Sequence, residues 1–157
     1  MTALLLDAGP LVAYIMFALR PGSAGQQRYV EKYNAVMEGK LVELVMSATR
    51  HVSLPNVLTE ASNHLGSGKQ EGHRGAAALL GNYVLTLDEV YKPSAEVVRF
   101  PEYCWLGLAD SAILSCQDEL KRDRGTVVTQ DKELASALYA ANVDCVNVMH
   151  WRTPGYV

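Results

Sequence analysis

Leu4-Leu5-Leu6-Asp7-Ala8-Gly9-Pro10-Leu11-Val12-Ala13, near the start of the chain, is the stretch that decides the fold. Its apolar run is too short for a helix and has no polar alternation, which predicts a strand buried on both faces and ending abruptly in a carboxylate. Asp7 then stands at the carboxyl edge of that strand. Gly9-Pro10 predicts a tight turn, and Leu11 to Ile15 resumes with helical spacing, so the unit is strand, turn, helix. In open parallel sheets that edge is where ligands bind. Taken alone, Asp7 is well explained as a helix N-cap, because an Asp there satisfies free N–H groups and complements the helix dipole. Its meaning changes only if other carboxylates arrive at the same edge.

Outward from this unit, strands and helices alternate. Leu19 to Gly25 is dense in turn residues and predicts a loop, and residues 26–46 show helical spacing through Tyr29, Val30, Tyr33, Val36, Met37, Leu41, Leu44 and Val45, with Gly39 a candidate break. His51 to Pro55 predicts a short second strand. Asn56 is suited to cap a helix with the buried stripe Val57, Leu58, Ala61 and Leu65, on which Glu60 and His64 fall one turn apart. Residues 66–74, Gly-Ser-Gly-Lys-Gln-Glu-Gly-His-Arg, predict a flexible loop; it fits neither a dinucleotide fingerprint nor a P-loop. Its Lys69, His73 and Arg74 are either phosphate contacts or incidental charges on a solvated loop.

Residues 76–85 predict a helix, 85–91 a third short strand and 93–98 a brief helix. Gly107 to Cys116 predicts a helix with the apolar face Ala109, Ala112, Ile113 and Cys116, and with Asp110 near its beginning. Gly125 to Thr129 is a second buried strand, Asp131 leads into a helix over 132–141, and Val143 to Val148 forms a last strand. The expected fold is therefore α/β: a three-layer α/β/α sandwich on a central, mainly parallel sheet of four to five strands. Residues 1–150 form one domain without internal repeat or linker, and 151–157 a C-terminal tail.

Composition agrees. A chain of 157 residues that is 49% hydrophobic and 20% charged supports one real core. No apolar run approaches the ~20 residues of a membrane span, and Met1-Thr2-Ala3 lacks the basic start of a secretion signal, so the expected location is the cytoplasm. Cys104, Cys116 and Cys145 are odd in number and far apart, which predicts core thiols rather than disulfides. The net charge of −3 argues superficially against a nucleic-acid partner. If four of the 17 acids hold cations, however, the other 13 face 14 Lys and Arg, and the exterior is nearly neutral.

Asp7 and Asp131 both follow buried strands and so point to one rim, while Glu60 and Asp110 lie in early turns of helices beside it. Four acids in one place repel one another by several kcal/mol at an effective dielectric near ~20 unless cations intervene. Hard oxygen donors, with no Cys or His at ligand spacing, select Mg²⁺ or Mn²⁺ over zinc. Such a site supports phosphodiester hydrolysis, in which divalent ions activate water and neutralise charge at the leaving oxygen without a protein nucleophile. Thr129 is placed either to hydrogen-bond one of these carboxylates or to cap the next helix. Asn56 and Asn63 are similar supporting candidates. There is no Gly-x-Ser-x-Gly elbow, and Gly9 stands where an aspartyl-phosphate enzyme needs a second acid.

The blocks Leu4 to Val12, Pro55-Asn56-Val57-Leu58-Thr59-Glu60, Gly107-Leu108-Ala109-Asp110-Ser111-Ala112-Ile113 and Val128-Thr129-Gln130-Asp131-Lys132-Glu133-Leu134, in this order, resemble the four motifs of PIN-domain ribonucleases. The resemblance covers essentially the whole chain. It implies a compact α/β/α sandwich and a Mg²⁺ or Mn²⁺ site at Asp7, Glu60, Asp110 and Asp131, with Asp7 and Asp110 as direct ligands. Among such proteins the chain is most similar to the toxins of VapBC toxin–antitoxin pairs, which implies RNA cleavage, homodimerisation and silencing by a cognate antitoxin protein. The glycine-rich loop at 66–74 and the lack of a basic stripe depart from that pattern. From another class, the same residues fit a non-catalytic domain of this fold that binds RNA or a protein; a DNA-directed nuclease would share the site.

Overall fold

A computed structural model describes residues 3–66 and 74–152. The chain runs β1 (Ala3–Leu6), α1 (Ala8–Leu19), α2 (Ala35–Ser47), β2 (His51–Ser53), α3 (Pro55–Leu65), α4 (Arg74–Val84), β3 (Asp88–Glu89), α5 (Ser94–Val97), α6 (Tyr103–Ser115), α7 (Gln117–Arg122), β4 (Gly125–Thr129), α8 (Lys132–Ala140) and β5 (Asp144–Asn147), followed by a 3-10 turn at Val148–Arg152. The five strands form one all-parallel sheet in the order β3-β2-β1-β4-β5. With the right-handed crossovers usual for parallel strands, this order puts α1–α4 over one face and α5–α8 over the other. The packing agrees, with α1 against α2, α3 and α4, and α6 against α5, α7 and α8. This is the three-layer α/β architecture that the alternation of elements predicts.

The central position of β1 follows from its composition. Leu4, Leu5 and Leu6 are essentially without solvent exposure, as are Val127 and Val128 of the adjacent β4. Each such side chain contributes about 1.5–3 kcal/mol relative to an exposed one, so the most apolar strands occupy the middle of the sheet. The register pairs Leu6 with Val128, and the Asp7 N–H extends the ladder to the Val128 carbonyl at 2.9 Å. At the outer edge β3 presents two exposed acids, Asp88 and Glu89, a charged edge that resists pairing with other chains.

Several elements differ from their sequence expectation, each for a local reason. Gly9-Pro10 is not a turn: α1 starts at Ala8, and a proline in a first helical turn surrenders no hydrogen bond that was going to form. Residues 26–32 are turns and a bend rather than helix, and α2 begins only after Asn34, whose side chain accepts the Met37 N–H at 2.9 Å; it then runs unbroken through Gly39. Asn56 is not the cap of α3, because Pro55 takes the first helical position and leaves Leu54 in the capping place. The third strand shrinks to two residues because 85–87 continue the last turn of α4, with the Leu85 N–H bonded to the Gly81 carbonyl at 3.2 Å. Of the cysteines, Cys116 is buried and Cys145 partly so, but Cys104 is exposed on α6 and is not a core thiol. Trp151 packs against the core, with the Lys40 ammonium 5.9 Å from its ring centroid.

Candidate functional site

The strand order reverses between β1 and β4, since the chain winds outward from β1 through β2 to β3 and then returns to the other side through β4 to β5. At such a switch point the flanking helices diverge and leave a crevice beyond the carboxyl ends of the strands. Asp7 stands immediately after β1, and the stretch Thr129-Gln130-Asp131 leaves β4 beside it.

The local hydrogen bonds hold these residues as a unit. Asp7 is only 8% exposed; Oδ1 accepts the Ala8 N–H and Oδ2 accepts the Thr129 hydroxyl, both at 2.7 Å. The Thr129 Oγ1, fully buried, also accepts the Asp131 N–H at 2.9 Å. Thr129 therefore fills both roles open to it, bonding a carboxylate and shaping the entrance of the next helix. Asp131 caps α8 through Oδ1 alone, which accepts the Glu133 and Leu134 N–H groups at 2.7 and 2.8 Å. Its Oδ2 is not used in capping.

Asp110 and Glu60 come from opposite layers. Gly107, at φ +78°, interrupts α6, so the helix restarts beyond it and Asp110 lies in the first turn after the kink. Among the described residues, no atom beyond the neighbouring chain lies within 4 Å of where a Cβ would stand there, so the glycine answers to its backbone angle and not to crowding. α6 packs against α3, and Leu108 and Ala109 share a cleft with Asn56, Glu60 and Asn63. Glu60 is about half exposed and lies 3.7 Å from His64 Nε2, one turn along α3.

Electrostatics link the four carboxylates. Burial pushes the Asp110 carboxyl up to about 7, and the negative charges of Asp7, Asp131, Glu60 and Glu133 act in the same direction. The charges that act most strongly on it are all negative. Asp7 is pushed up to about 6, chiefly by burial, against the opposing hydrogen bonds from Thr129 and the Ala8 N–H, with Glu60 and Asp131 adding to the rise. Two further groups sense Asp7. The buried Tyr33 phenol, whose Oη has no hydrogen-bond partner among the described residues, is raised by burial and by that charge, and the Cys145 thiol is pushed up to about 12 by the same pair of causes.

Asp7, Glu60, Asp110 and Asp131 thus act on one another electrostatically, and Thr129 joins the Asp7 carboxylate to the Asp131 backbone. Arg74 opens α4 as an exposed side chain and is not among the charges acting most strongly on Asp7 or Asp110; Lys69 lies outside the described residues. Glu133 and Tyr33 belong to the site's surroundings and were not legible as such: Glu133 reads as a surface position of a helix, and Tyr33 as one apolar residue in a helical stripe. Among the described residues no three or more His, Cys, Asp or Glu side chains form a ready-made metal cage. The donor chemistry nevertheless suits Mg²⁺ or Mn²⁺, because Mg²⁺ keeps several waters and binds through one or two carboxylates rather than an all-protein cage. Compared with protein-family models and with curated proteins, the sequence matches none.

Proposed function

We propose that the chain is a Mg²⁺- or Mn²⁺-dependent endoribonuclease of the PIN-domain type. The observation that carries this reading is the mutual electrostatic influence of Asp7, Glu60, Asp110 and Asp131, which together with burial raises Asp7 to about 6 and Asp110 to about 7, above the usual carboxylate range. Such an arrangement is costly unless a cation compensates it. Asp7 and Asp110 are the residues to hold that ion, with Glu60 and Asp131 beside them. A divalent ion there would supply charge neutralisation at a phosphate and an easier deprotonation of water. Thr129 fixes the Asp7 carboxylate, whose oxygens each keep a further lone pair for the ion. Asp131 holds the helix end that carries Glu133, leaving its own Oδ2 available.

The resemblance that motivates this reading also carries homodimerisation, a cognate antitoxin as partner and a cytoplasmic location. Among the described residues, no helix is long and apolar enough to cross a membrane. A second reading, a non-catalytic RNA- or protein-binding module of the same fold, is favoured by the absence of a closed metal cage among the described residues. The test is cleavage of structured RNA and of single-stranded DNA by the purified chain with Mg²⁺ or Mn²⁺, beside Asp110→Asn. RNA cleavage lost in the variant supports the ribonuclease; equal background from both proteins overturns it in favour of the module, and cleavage of DNA alone overturns the choice of substrate.

A further inference from the structure

Beside Asp7 and Asp131 along the chain lies a cavity of about 190 Å³, below the ~300–1,000 Å³ of ordinary small-molecule clefts. It is lined by Tyr29, Glu31, Lys32, His64 and Gln130, over the first turn of α1 at Gly9. Three links tie it to the acidic crevice: Gly9 is two residues beyond Asp7, Gln130 directly precedes Asp131, and His64 faces Glu60. A Cβ at Gly9 would run into the Gln130 amide, so the missing side chain is what lets Gln130 lie across the helix start and form the cavity wall.

The aromatic wall is built at a conformational cost. Tyr29 holds φ at +75°, an outlying backbone state for a bulky residue. Its ring meets His64 edge to face, with centroids 5.6 Å apart, and Arg28 lies over it at 5.0 Å. Strain of this kind concentrates at ligand-binding positions. An aromatic ring next to a carboxylate, an ammonium and an amide is the combination that recognises an unpaired base, by stacking on its face and hydrogen-bonding its edge.

We propose that this cavity takes one extruded guanine of a single-stranded RNA whose backbone runs to the Asp7–Asp110 crevice, with Tyr29 stacking on the base and Glu31 reading its edge. The proposal rests on the RNA-directed reading above. Guanine offers two neighbouring donors, N1–H and the N2 amine, to the Glu31 carboxylate, and beside them an O6 acceptor for Lys32 or Gln130. Adenine puts an acceptor where Glu31 needs a donor, and uracil sets a single donor between two acceptors. Cytosine has one amine beside an acceptor.

The test is fluorescence anisotropy of the full chain with four labelled oligouridines that differ in one central nucleotide, G, A, C or U, in EDTA so that binding is read apart from cleavage. The G-containing RNA is expected to bind about 5- to 100-fold more tightly than the others. Tyr29→Ala should weaken it by a similar factor while circular dichroism stays native, Tyr29→Phe should retain binding, and Glu31→Gln should erase the preference for G. Equal affinities for all four RNAs, full binding by a folded Tyr29→Ala, or a preference that survives Glu31→Gln overturns the proposal. A G preference in a protein that cleaves nothing with Mg²⁺ or Mn²⁺ upholds the cavity and sinks the nuclease, and cleavage without any base preference does the reverse.

Discussion

Asp7 serves two purposes that pull against each other: its oxygens cap α1 and hold Thr129, yet its charge is buried beside three other acids. Because its folded pKa lies above the ordinary value, the native state binds this proton more tightly than the unfolded chain does. The stabilisation is therefore present at low pH and is lost as pH rises from about 4 through about 6. From 3.8 to about 6 the loss is on the order of 3 kcal/mol, at 1.36 kcal/mol per pKa unit. Metal-free Asp7→Asn is accordingly expected to unfold at higher urea than the parent at about pH 8 and to show no such gain at about pH 4, while losing cleavage. Thr129→Val removes the donor to Asp7 and the acceptor of the Asp131 N–H. It should cost about 1–3 kcal/mol and weaken Mn²⁺ binding about 10- to 100-fold by titration calorimetry, with Thr129→Ser restoring most of both.

At the scale of elements, α6 shows how one backbone angle sets a functional side chain. Gly107→Ala meets open space, so its expected cost of about 1–3 kcal/mol is conformational, and chemical denaturation will read it directly. Because the kink sets where the helix restarts, cleavage should fall by more than the stability loss explains. The Gly107–Cys116 segment was legible as a helix from its apolar face, but the kink was not, since glycine within a helical pattern carries no label saying which φ it adopts. Likewise Gly9-Pro10 has the composition of a turn, and only its place after a capping Asp makes it a first helical turn. At Tyr29 the local pattern favours a helix, and the tertiary environment imposes a positive φ instead.

For the whole molecule, the crevice couples stability, pH and cations. A divalent ion that binds only the folded chain stabilises it by about 2.7 kcal/mol at a hundredfold excess over Kd, so Mg²⁺ or Mn²⁺ should raise the melting temperature by roughly 5–10 °C. Ions compete with protons for the same oxygens. Mn²⁺ affinity should thus tighten about tenfold per pH unit between about 6 and 7, where Asp110 loses its proton, more steeply below 6, where Asp7 is protonated as well, and level off above 7. Calorimetric titration across that range checks the slope; affinity flat with pH places the ion elsewhere. Asp110→Asn should flatten the profile above about pH 6, where only Asp110 was still titrating, and abolish the thermal shift.

By itself, the sequence determined the architecture and the inventory of acids. Two apolar runs too short for helices had to be buried strands, and strands alternating with helices had to form a parallel sheet, because burial and the connection rules leave few other solutions. The chain order of Asp7, Glu60, Asp110 and Asp131 could be read in the same way. Only the tertiary structure decided that these acids share one field, that one hydroxyl of Thr129 ties two of them together, and that Tyr29 and Gln130 wall a cavity beside them. Periodicity reports which face a residue takes within its own element. Convergence between elements far apart along the chain depends on strand order and register, which local pattern does not encode.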